Sequence, residues 1–134
     1  MNDRPGRITA LSIFFAAGTI ISFISAISLV FPDSFLQPMW KLNPRALESF
    51  HRLGSWSILL MLLVSIFCGL AAVGLWSGKL WGYWIAIGML IMNLIGDIYN
   101  FASGTESRAV IGVPIVLLIL FLIIKPEIMA YFKR

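Results

Sequence analysis

The stretch from Leu53 to Tyr99, LGSWSILLMLLVSIFCGLAAVGLW followed by SGKL and WGYWIAIGMLIMNLIGDIY, decides the fold. Its two apolar runs, Leu53–Trp76 and Trp81–Tyr99, are parted only by Ser77-Gly78-Lys79-Leu80. Roughly 20 apolar residues cross a hydrocarbon core of about 30 Å, so each run is long enough for a transmembrane helix. Trp56 and Trp76 stand twenty residues apart, which is about 30 Å of helix and matches the two aromatic belts of a bilayer. Four linking residues allow only a tight turn. The pair therefore reads as an antiparallel helical hairpin.

Working outward, Ile8–Phe31 is a third apolar span, and Ala109–Ile124 is a shorter fourth that needs its flanks to cross. Sixty per cent hydrophobic and 12% charged residues, with a mean hydropathy of +0.94, exclude an ordinary soluble domain. The expected fold is all-α: an integral membrane four-helix antiparallel bundle, with a longer helical or interfacial connection between the first two helices. A single transmembrane domain over residues 1–134 is expected, with helices at about 8–31, 44–76, 80–100 and 108–125. The first span exceeds the 7–15-residue core of a signal peptide, so it reads as a retained helix.

The net charge of +4 comes from basic residues placed singly at helix ends. That pattern is membrane flanking and excludes a nucleic-acid surface. Arg4, Arg7, Lys79, Lys125, Lys133 and Arg134 fall on one side, against Lys41, Arg45, Arg52 and Arg108 on the other. The six-to-four bias places both termini in the cytoplasm, in a multi-pass inner-membrane protein. Cys68 is the sole cysteine and sits in an apolar span, where it reads as a small hydrophobe.

The first connection is the least membrane-like. Asn43 before Pro44 is a helix-start signal. The second helix, or a short helix leading into it, is expected to begin there and to carry Arg45, Glu48, His51 and Arg52 near the outer interface. Phe35, Leu36, Met39 and Trp40 precede it as a surface-lying segment. Pro126 should bend or end the last helix.

Helices in lipid associate through small residues and hydrogen bonds. Gly18, Ser22, Ser25 and Ala26 mark such a face on the first span, and Gly54, Ser65, Gly69 and Ala72, with Cys68 at the edge, mark one on the second. On the third, Gly82, Ala86, Asn93, Gly96, Asp97 and Asn100 share one direction at 100° per residue, opposite Trp84, Ile87, Ile91, Ile95 and Ile98.

Asp97 is the one acid placed within an apolar span, and such a residue is a functional-site hypothesis by default. Sixteen residues past Trp81, it lies roughly 24 Å along the helix, short of the outer face. Two readings follow: a carboxylate locking the bundle, or a group binding a ligand or partner. Arg52 or His51 on the adjacent helix is the expected counter-ion, with Arg45 and Arg108 as alternatives. The candidate ligand- or partner-binding residues are Asn93, Asp97, Asn100, His51 and Arg52. No phosphate loop, nucleophile elbow, paired-carboxylate site or metal motif occurs in the sequence. No cofactor is expected.

Phe31-Pro32-Asp33, Leu42-Asn43-Pro44-Arg45, the run from Gly74-Leu75-Trp76 through Gly78 to Trp81-Gly82, Asn93-Leu94-Ile95-Gly96-Asp97 and Ile111-Gly112-Val113-Pro114-Ile115 resemble a group of small, uncharacterised bacterial four-helix membrane proteins. The resemblance implies the fold and carries no activity. Small multidrug transporters, with a first-helix glutamate, and vitamin K epoxide reductase-like enzymes, with a Cys-x-x-Cys pair, fit poorly. The expected role is a non-catalytic accessory or scaffolding subunit or small homo-oligomer, its partners being the lipid bilayer and another membrane protein or its own copies. The alternative is a small transporter or channel using the Asn93/Asp97/Asn100 face, with His51 and Arg52. An enzyme acting on a lipid or quinone at the outer interface is a third class.

Overall fold

The computed structural model describes residues 4–31, 33, 35–42, 44–104 and 109–133, without the side chains of Ala46 and Ala109. Asn43 as a cap, Arg108 as a counter-ion and Arg134 in the charge balance lie outside the described residues. The described chain is all-α: α1 (Gly6–Val30), a 3-10 segment (Gln37–Leu42), α2 (Pro44–Leu53), α3 (Ser55–Trp76), α4 (Leu80–Ala102), α5 (Ala109–Ile123) and α6 (Pro126–Phe132). Three of these, α1, α3 and α4, are each long and apolar enough to cross a membrane. The segments α5 and α6 pass that test only together, and they are bent by 64°.

Local chemistry sets the boundaries. Gly78 (φ 69°) takes the left-handed conformation that closes α3. The Lys79 amide then donates to the Gly74 carbonyl (2.8 Å) and the Gly78 amide to Leu75 (3.1 Å). These two bonds make a Schellman cap, which satisfies carbonyls the helix would leave orphaned. Pro126 drives the preceding residue out of the α region. Lys125 is accordingly extended (ψ 141°), and α6 starts with proline in its first turn.

Of the two expectations for Pro44, the short leading helix is the one the structure has, and the single helix over 44–76 is corrected. The second helix does not run unbroken from 44 to 76: Gly54 interrupts it at φ 65°, a conformation that an α-helix of L-residues cannot continue. The short α2 is therefore a separate element. Trp40 anchors the segment before it, donating from Nε1 to Ser28 Oγ at 2.6 Å and stacking edge-on against Phe50 of α2.

Packing follows the order α1, α3, α4, α5. Arg4 donates to the Trp76 carbonyl (2.7 Å), while midway along, Ser65 Oγ donates to the Thr19 carbonyl (3.1 Å). These paired positions make α1 and α3 antiparallel. Their contact is tight because Gly18 faces Cys68 and Gly69 faces Thr19. Closer still is the approach of α3 to α4, where a methyl at Gly74 or Gly82 would overlap the other's Cα. On α4, Tyr83 OH donates to the Ile123 carbonyl (3.2 Å), which ties it antiparallel to α5. Ile8, Leu11, Phe15, Leu75, Tyr83, Ile123, Ile128 and Phe132 form a buried core around the end where α1 starts and α6 lies.

Candidate functional site

Burial on α4 is uneven. Gly82, Tyr83, Ala86 and Leu90 are buried, and none of the residues from Ile91 to Ala102 is. The polar residues Asn93, Asp97 and Asn100 all lie on this uncovered half. Asp97 is eleven residues after Ala86, three turns to within about 20°, so it continues the inward line of α4. It reaches α5 at Gly112, where its Oδ2 occupies the space a side-chain methyl would need. Gly112 is thus what lets the carboxylate sit between the helices.

Asn93 lies one turn before Asp97 and donates from Nδ2 to Asp97 Oδ2 at 3.3 Å. Asp97 and Asn100 are half-buried, whereas Asn93 is exposed on the flank of α4. Asn100 gives its backbone carbonyl to Ser103 Oγ at 3.3 Å. The structure therefore joins Asn93 to Asp97 and leaves Asn100 two turns from Asn93 on the same open stretch.

The expected pairing of Asp97 with Arg52 or His51 is not what the chain does. Arg52 donates to Glu48 Oε1 at 2.9 Å, one turn back on its own helix, and His51 is exposed. Register explains the difference. Gly74 and Gly82 meet across the antiparallel α3–α4 pair, so Asp97 lies level with Leu59, about 10 Å of helical rise beyond Arg52. Instead, Arg45, Glu48, Ser49 and Arg52 face Ser103 and Gly104 across a polar pocket of about 280 Å³. Ser103 is six residues beyond Asp97, about 9 Å of helical rise away. Among the described residues, Asp97 and the α2 cations form separate sites. No cluster of metal-binding side chains occurs among those residues.

Sequence reading missed the part Gly112 plays. A glycine in an apolar run gives no sign of which side chain will occupy the space it leaves. Arg4 was also read only as a flanking charge. It in fact lies over the Trp76 ring at 3.7 Å and binds that residue's carbonyl, fastening the start of α1 to the end of α3.

Three helices of this length and apolar composition mark the chain as a membrane protein. No family model, curated protein or solved structure matches the chain.

Proposed function

We propose that the chain is a non-catalytic protein of the cell inner membrane, a four-helix antiparallel bundle with both termini cytoplasmic. Its role is to assemble with another membrane protein, or with its own copies, along the outer half of α4. One observation carries this reading: the half of α4 without a buried residue is the half that bears Asn93, Asp97 and Asn100. A polar side chain open to hydrocarbon is costly, and transmembrane helices use such groups as interhelical hydrogen-bonding contacts. Gly96, within about 60° of Asn93 and Asn100 around the helix, meets nothing within 4 Å, which leaves room for another helix to approach closely. The antiparallel order of α1, α3, α4 and α5 supports the four-span count, with α5 and α6 together as a bent fourth span.

The test is extraction of the tagged chain from its native membrane in copolymer nanodiscs, without detergent. The expected particle contains more than one 14.9 kDa chain or a second protein, and Asn93→Leu/Asp97→Leu releases the monomer. A wild-type monomer with no partner would overturn the proposal. Solute flux in proteoliposomes that disappears in Asp97→Ala would assign the same face to transport instead.

A further inference from the structure

A second feature lies at the other end of the molecule and is unused by the assembly face. The 64° bend at Pro126 swings α6 away from the line of α5. Because α1 and α5 touch over only a short length, a crevice of about 240 Å³ opens beside them. Ala10, Leu11, Phe14, Ile119, Leu122 and Ile128 line it, and Arg7 is its one charged lining residue among those described.

We infer that this crevice seats one acyl chain of an anionic phospholipid, whose phosphate meets Arg7. The inference rests on the chain spanning a membrane and is independent of any partner at α4. The crevice walls are apolar, so water entering them would find few of the two to four polar partners it needs. Its volume lies below the roughly 300–1,000 Å³ of pockets for drug-sized molecules, so it takes a stretch of one hydrocarbon chain, the rest of which lies in the bilayer. Arg7 belongs to the first turn of α1, the helix end where a lipid headgroup would lie. Charge selects the headgroup: Arg4, Arg7, Lys79, Lys125 and Lys133 gather at this end, against Glu127 among the described residues. Arg4 is already engaged with Trp76, whereas Arg7 borders the crevice and is exposed.

The experiment is native mass spectrometry of the full chain in detergent, after exposure to equal amounts of phosphatidylglycerol and phosphatidylcholine with identical acyl chains. The monomer peak is expected to keep phosphatidylglycerol over phosphatidylcholine by about fivefold, the effect of one basic residue near a headgroup whose negative charge no choline cancels. Arg7→Gln should equalise the two lipids, and Lys133→Gln, outside the crevice, should leave the preference intact. Ala10→Phe fills the crevice from an exposed position and should reduce retention of both lipids, as should Leu122→Phe. Equal retention by the wild type would overturn the inference. So would equal effects of Arg7→Gln and Lys133→Gln, or unchanged retention in both filling variants. A change in oligomeric state on filling, with lipid retention unchanged, would assign the crevice to a second copy and likewise overturn it.

Discussion

Gly74 of α3 and Gly82 of α4 bring their backbones together so closely that a methyl on either would collide with the other's Cα. The relationship explains why the hairpin can pack at backbone distance just beyond its turn. Overpacking a tight contact of this kind typically costs about 1–3 kcal/mol. Gly74→Ala and Gly82→Ala should each lower the thermal unfolding temperature in detergent. Gly88→Ala, where nothing lies within 4 Å, should be neutral or slightly stabilising because alanine favours helix by up to about 1 kcal/mol. Equal behaviour of the three variants would count against the close contact.

Asp97 and Gly112 allow a sharper test. Gly112→Ala sets a methyl against the carboxylate, and the expected cost is again about 1–3 kcal/mol. In an Asp97→Ala background the same substitution should cost much less, because the obstructing atoms are gone. A double-mutant cycle read by thermal unfolding measures that coupling. Additive effects would show that the two residues do not meet.

The bond from Trp40 Nε1 to Ser28 Oγ is buried, at 2.6 Å. Ser28→Ala leaves the indole N–H without this acceptor, at a cost of about 1–3 kcal/mol. The 3-10 segment should loosen with it. Faster amide hydrogen exchange over residues 37–42 than in the wild type is the readout, with α4 exchange unchanged.

Arg52 and Glu48 form an ion pair on exposed side chains, at relative exposures of 73% and 66%. Such pairs contribute little, roughly 0–1 kcal/mol. Arg52→Gln should therefore leave thermal stability nearly unaltered. A loss of about 3–5 kcal/mol, the cost of breaking a buried pair, would restore Arg52 as the partner of a buried acid.

Where the sequence reading succeeded, the cause was local. Tryptophan spacing and the four-residue link gave the α3–α4 hairpin, because a short link between two long helices leaves no other geometry. Pro126 announced the α5–α6 bend through its effect on the preceding residue. Helical phase put Asp97 on the inward line of α4, since a fixed rotation per residue carries from Ala86 to Asp97 without tertiary information. The Gly54 break was less legible. Glycine occurs within transmembrane helices as well as between them, and because it takes either sign of φ readily, the residue alone does not announce the positive φ it adopts here.

By itself, then, the sequence determined the all-α class, the long apolar helices and the residues worth asking about on α4. Length, hydropathy and helical periodicity are properties of single segments and need no partner. Only the tertiary structure decided which groups meet. It set Asp97 against Gly112, turned Arg52 to Glu48, gave Arg4 to Trp76 and opened a crevice beside Arg7. The physical reason is that a side chain's partner depends on where a second helix lies, and the breaks at Gly54 and Pro126 moved α2 and α6 out of line with the helices they follow.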